Sequence, residues 1–283
     1  MTKLFCVLVI CLAAACSTLD AASPSPAPKL LVLATIAPMY CFAKNVAGDL
    51  ADVEMIVPPG VQSRAFEPSA KDLKKISQAD IIVENGFGFE SWMDQLVARG
   101  ALKPGTLRIL AARGTGPGIP GLPGDPDTPP GDAPLASSGP PDPHVWLDPV
   151  MAIKEVQNIR DALMARDPDH ADDYLANENR YESTLRDLDD EVGRITVDIP
   201  KRRLFCTTEA FSYFLSRYEF QVAKSTDEPD GILTTRGSGF SILSGKRLPV
   251  VIADPMESGS ASTDFYEKTT RANAEALREG LSR

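Results

Sequence analysis

The sequence predicts an α/β protein of two lobes, each a mostly parallel sheet with flanking helices, joined by one long rigid helix. Three observations carry that prediction. Short apolar, β-branched runs alternate with segments of helical spacing across residues 30–83. The same alternation returns in residues 204–253. Between them, Tyr174, Tyr181, Leu185, Leu188, Val192 and Ile195 fall at steps of seven, four, three, four and three, the stripe of one amphipathic helix. About 28 residues at ~1.5 Å each give that helix roughly 40 Å, enough to run along a whole two-lobed molecule.

Taken in order, residues 30–35 read as a strand and 40–47 as a helix stopped by Gly48. Residues 53–57 are a strand, 70–79 a helix opened by Ser69, and 81–83 a strand ended by Asn85-Gly86. In open sheets of this kind ligands sit beyond the carboxyl ends of the strands, here the loops after Val57 and Val83. In the second lobe, 204–207, 220–223 and 250–253 read as strands, 210–218 as a helix, and 265–281 as a closing helix with Ala272, Ala276 and Leu277 on one stripe. The divisions are a first lobe over 30–150, linking helices over 151–200 and a shortened second lobe over 201–283. Residues 114–143 are dominated by Gly and Pro with almost no large apolar residue. They cannot build a core and read as a mobile insert in the first lobe.

The N-terminus reads as an export signal. Residues 1–16 combine Lys3 with an apolar run over 4–12, too short to span a bilayer as a mature helix. Ala13-Ala14-Ala15-Cys16 makes Cys16 the acylated first residue of a bacterial lipoprotein, with simple cleavage as the alternative. Residues 17–29, rich in Ala, Ser and Pro, form a flexible tether. Cys41 and Cys206 remain in the body as two small hydrophobes, with a disulfide as the other reading. A net charge of −10 argues against wrapping nucleic acid, which needs a basic face.

The chain has two histidines, so imidazole chemistry has little to draw on. His144 is posed between prolines in Asp142-Pro143-His144-Val145-Trp146-Leu147-Asp148-Pro149. One imidazole among carboxylates leans toward manganese or iron, and a purely structural histidine is the plainer reading. His170 sits at a helix start. An enzyme is not expected: Ser238 in Gly237-Ser238-Gly239 lacks the strand-turn-helix setting of a nucleophile, and His144 with Asp148 has no serine partner.

The ordered set Lys44-Asn45-Val46-Ala47-Gly48-Asp49, Val57-Pro58-Pro59-Gly60, Phe66-Glu67-Pro68, Ala79-Asp80, Asn85-Gly86, the 142–149 block, Thr208-Glu209-Ala210-Phe211-Ser212-Tyr213-Phe214 and Asn273 resembles the substrate-binding lipoproteins of zinc and manganese ABC transporters. The resemblance covers nearly all of the mature chain. It implies a monomer held to a bacterial membrane only through its lipid, in the periplasm or on the cell surface, with an ABC permease and its ATPase as partners. It implies one divalent cation as transported ligand, manganese or zinc, held in the cleft by four side chains. Three fall on His144, Glu209 and Asp254. Glu209 in place of a histidine resembles the manganese and iron branch.

At the remaining position, where the resemblance implies a histidine, the chain has Arg64. A guanidinium offers only donors and cannot ligate a metal. At 6 Å it would repel a dication by roughly 5 kcal/mol for an effective dielectric of ~20. The alternative to an altered metal site is a relative that binds an anionic or zwitterionic solute at Arg64, or one that acts as a surface adhesin.

Overall fold

The computed structural model describes residues 28–115, 142–224, 228–236 and 248–282. The expected signal peptide with Cys16, nearly all of the tether, nearly all of the 114–143 insert and Gly237-Ser238-Gly239 lie outside the described residues.

In the first lobe, β1 (Leu30–Ala34), β2 (Ala51–Met55), β3 (Ile81–Glu84) and β4 (Leu107–Leu110) form a parallel sheet in the order β2-β1-β3-β4. The central strand β1 is buried on both faces. Val32 and Ala34 enter the main core, whereas Leu33 joins Ile56, Ile82, Trp92 and Met93 on the other side. Three helices flank the sheet: α1 (Ala37–Ala47), α2 (Ala70–Ile76) and α3 (Ser91–Ala98). Pro38 opens α1, and Gly48 closes it in the left-handed half of backbone space at φ 55°. Ser69 and Asp72 form a reciprocal capping box at the start of α2. The sequence reading assigned neither α3 nor β4.

Two helices then cross between the lobes. Asp148 caps α4 (Pro149–Arg166) by accepting from the amides of Val150 and Met151, and Pro149 supplies a preset φ at its first turn. The long helix α5 (Ala171–Thr196) has 26 residues, or about 39 Å. Its Tyr174, Tyr181, Leu185, Leu188 and Val192 are buried, the stripe expected from their spacing.

In the second lobe, β5 (Arg203–Cys206), β6 (Gln221–Val222), β7 (Gly231–Thr235) and β8 (Val250–Ala253) form a parallel sheet in the order β6-β5-β7-β8. It has as many strands as the first, because β7, unassigned in the sequence reading, inserts between β5 and β8. With α6 (Ser212–Arg217) and α7 (Phe265–Leu281) it completes the lobe. A Cβ at Gly231 would stand 2.7 Å from Leu281 Cδ2, so α7 closes onto β7 only over a glycine.

One buried cluster runs from Val32 through Phe42, Val156 and Leu185 to Leu204, Val251 and Leu277. The lobes therefore share a core through α4, α5 and α7, and a wide hinge opening would have to tear it. Cys41 and Cys206 are free thiols, and the buried Cys41 donates to the Thr263 carbonyl at 3.1 Å. No helix among the described residues is long and apolar enough to cross a membrane.

Candidate functional site

The site is built where the loops at the carboxyl ends of β2 and β3 meet the turn after β8. Its centre is His144, 4% exposed. Asp142 shapes the local backbone by accepting from the His144 amide at 3.0 Å, and its same oxygen takes Nδ1 at 2.6 Å. The segment is tied down on both sides: Asn85 Nδ2 donates to the Pro143 carbonyl, and the Tyr213 hydroxyl to the Asp142 carbonyl. Phe89 and Trp146 pack edge-on around the imidazole, at 6.1 and 5.0 Å between ring centres.

The other ring nitrogen, Nε2, points across the cleft at Glu257 Oε1, 2.7 Å away. Burial opposes charge on His144, but the hydrogen bonds and charges of Asp142 and Glu257 outweigh it and raise its pKa. Burial likewise works against the Glu257 carboxylate, yet His144 and Arg64 hold its pKa below the usual value. Glu257 follows Met256, a buried residue at φ 59°, in the left-handed region that a bulky side chain rarely adopts.

Arg64 sits in the short turn Ser63–Ala65 that follows Pro58-Pro59-Gly60. Its guanidinium lies 4.7 Å over the Phe89 ring, its Nε is 3.7 Å from Glu257 Oε1, and its Nη2 is 3.3 Å from His144 Nε2. An imidazole that donates to two carboxylates has no lone pair left for Arg64. The last contact therefore sets two donors side by side, and it is Phe89 and Glu257 that attract the arginine. Phe89 is presented by a loop that turns at Gly86 and at Phe87, itself at φ 52°.

The structure brings Arg64 and His144 together, while the hydrogen bonds of Glu209 and Asp254 go elsewhere. Glu209 is exposed in the loop after β5, where its carbonyl accepts from Ser212. Asp254 is exposed at the end of β8 and its carboxylate accepts from the Met256 amide at 2.7 Å. Its backbone is clamped by the buried Asn273, which accepts from the Asp254 amide and donates to its carbonyl, both at 2.8 Å. Among the described residues no three His, Cys, Asp or Glu side chains converge to hold a metal ion. Glu257 is the residue that sequence reasoning missed. Beside it opens a cavity of about 720 Å³ whose walls include Gly60, Asp254, Glu257, Lys268 and Asn273.

Two parallel α/β sheets bridged by a long helix, with an ionisable cluster between the lobes, define a two-lobed solute-binding protein. Residues 32–236 match the family described as zinc-uptake complex component A, periplasmic, and the chain belongs to that family. It is 31% identical over 219 residues to the manganese-binding lipoprotein MntA of Halalkalibacterium halodurans, covering 76% of this chain and 67% of that one. It is 29% identical over 248 residues to the iron-binding protein YfeA of Yersinia pestis, covering 86% and 75%. The crystal structure of the Zn(II)-bound ZnuA-like domain of Streptococcus pneumoniae AdcA superposes with a TM-score of 0.67 at 27% identity, covering 90% of this chain and all of that domain. Full-length AdcA is longer, and the chain spans 40% of it.

Proposed function

We propose that this chain is the extracytoplasmic solute-binding component of an ABC importer. It captures one divalent metal ion, manganese ahead of zinc or iron, in the interlobe cleft and hands it to a membrane permease driven by a cytoplasmic ATPase. The observation that carries this reading is His144, buried, with Nδ1 on Asp142 and Nε2 facing a carboxylate of the opposite lobe. A carboxylate on the far nitrogen fixes the tautomer and makes the metal-facing nitrogen more basic. Nitrogen and oxygen ligands at ~2.1 Å from one ion stand roughly 3.0–3.4 Å apart. The 2.7 Å pair thus needs only a small opening to admit one.

Glu209 and Asp254 are the further oxygen donors of the reading, on loops at the ends of β5 and β8, and both have to turn inward from exposed positions to reach the ion. An oxygen-rich set with one imidazole favours a hard ion, hence manganese first. Arg64 alters the site. It lies about half exposed at its rim and must withdraw toward solvent before a dication enters. The named metals of the relatives, manganese, iron and zinc, support the metal class. Their lipoprotein names and the periplasmic family support a location outside the cytoplasm, with Cys16 as the lipid anchor. The role is capture and hand-over without catalysis, and the shared core supports a small lobe movement on release.

The test is calorimetric titration of Mn²⁺ and of Zn²⁺ into metal-stripped protein, with Glu209→Ala and Asp254→Ala alongside. Submicromolar binding weakened by either substitution supports the assignment. Binding indifferent to both removes these two residues from the site.

A further inference from the structure

We infer that Glu257 is itself a metal ligand of this cleft, supplying from the second lobe the donor that Arg64 cannot supply from the first, and that Arg64 is the resident counter-cation which the arriving metal displaces. The inference deepens the metal-capture reading and rests on it.

The chemistry begins with what position 64 lacks. A guanidinium has no lone pair to give, so a site built around it must draw its next donor from elsewhere. Among the described residues, Glu257 is the second-lobe carboxylate in contact with Nε2 of His144, the nitrogen that Asp142 leaves facing the cleft.

Its placement is held firmly. Ser63 Oγ donates to the Glu257 carbonyl, Gly60 N donates to Ser258 Oγ at 2.6 Å, and Trp146 Nε1 donates to the Pro255 carbonyl at 3.0 Å. The turn over residues 255–258 is therefore pinned to the first lobe on either side of the carboxylate. Within it, Met256 adopts φ 59° although buried. A bulky residue in that region is strained and persists only where its surroundings over-determine it. Here the kink turns Glu257 toward His144, and the carboxylate also borders the 720 Å³ cavity, a route by which a hydrated ion reaches it.

The same geometry gives Arg64 a role. A carboxylate lodged between lobes with no cation beside it would be poorly solvated. His144, donating from both ring nitrogens, and Arg64, seated on Phe89, share that charge, and Arg64, half exposed, is the one free to leave. Metal entry then displaces Arg64 from Glu257 and the Nε2 proton of His144, which goes to solvent, so the carboxylate passes from these cations to the metal and is never left unpaired.

The experiment is titration of Mn²⁺ and of Zn²⁺, separately, into the metal-stripped chain and its Glu257→Gln, Arg64→Ala and Glu209→Ala variants, with thermal melting of each metal-free form. Glu257→Gln keeps the size and the backbone anchors, so its expected effect, weakening by about 10-fold or more, reports the lost carboxylate. Arg64→Ala is expected to tighten binding by about 10-fold or more. Wild-type binding that Glu257→Gln leaves within about two-fold overturns the ligand assignment and leaves metal capture standing, which the Glu209→Ala arm then reads independently. Weaker binding in Arg64→Ala overturns the counter-cation role. Failure of both wild type and Arg64→Ala to take up either ion overturns this inference together with metal capture.

Discussion

Nε2 of His144 and Oε1 of Glu257 face each other across the interlobe cleft at 2.7 Å, and Arg64 reaches the same carboxylate from the first lobe. Two of these three residues belong to one lobe and the third to the other, so the cluster is at once a closure contact and the place where a cation would compete with a cation.

Replacing Arg64 by histidine exchanges a fixed positive charge for a potential ligand. Arg64→His is expected to tighten Mn²⁺ and Zn²⁺ binding by roughly 10- to 10,000-fold, the upper figure being what a charge this close would cost without relaxation. Competition against a chromogenic chelator measures it. An unchanged affinity means that position 64 was never an obstacle.

Asp142→Asn keeps the turn around His144 but removes the charge that steadies Nδ1. Loss of such a supporting carboxylate typically weakens a histidine-bound metal by about 10- to 100-fold. The His144 pKa is expected to fall as well, because Asp142 is among the groups that raise it. NMR titration of the ring protons in the metal-free protein reads the pKa, and calorimetry reads the affinity.

Two buried carboxyls contribute to the pH dependence of folding. Burial pushes Glu90 up to about 7, even though the amides of Asn85 and Gly86 and the Thr35 hydroxyl hydrogen-bond to it. Glu155 is fully buried, neither of its oxygens has a hydrogen-bond partner among the described residues, and its pKa lies well above the ordinary value. A carboxyl whose folded pKa exceeds its unfolded one binds more protons when folded, so its contribution is present at acid pH and is lost as pH rises. For Glu90 the window runs from about pH 4.5 to about 7, and the loss is about 3 kcal/mol. Thermal melts of the metal-free protein should therefore show a falling midpoint over this range. Glu155→Gln, which cannot ionise, should melt higher than wild type at pH 8 and close to it at pH 5.

Gly231→Val would drive a branched side chain into Leu281, Leu204 and the Pro249 carbonyl. Overpacking of a buried strand against a helix costs about 1–3 kcal/mol. Chemical denaturation should show that loss, whereas metal affinity should hardly change in the folded fraction, because the atoms crowded at Gly231 belong to Leu281, Leu204 and Pro249 and not to His144, Arg64 or Glu257.

Much of the fold was legible because its signals are periodic. The α5 stripe from Tyr174 to Val192 repeats at helical spacing, and the runs around Val32 and Ile82 are apolar because both sheet faces are covered. Strand β7 was not legible, since Gly-Ile-Leu-Thr-Thr starts on a glycine and is specified by the closeness of Leu281 and Leu204. In the site, the prolines around His144 advertised a posed imidazole, and the charge on Arg64 stood out against the pattern expected there. Glu257 gave no such sign. It is one acid in a Ser- and Gly-rich turn, it lies 113 residues from its histidine, and its position depends on tertiary contacts and the Met256 kink. Asp254 and Glu209 came only from the resemblance, and sequence could not show that Asp254 hydrogen-bonds its own turn.

The most direct test is a crystal structure of the protein grown with Mn²⁺, with diffraction recorded on both sides of the manganese absorption edge. The account expects one anomalous peak bonded to Nε2 of His144 and to the Glu257 carboxylate, with the Arg64 side chain withdrawn toward solvent. A cleft without a peak, with Arg64 still seated on Phe89 and Glu257, would contradict it.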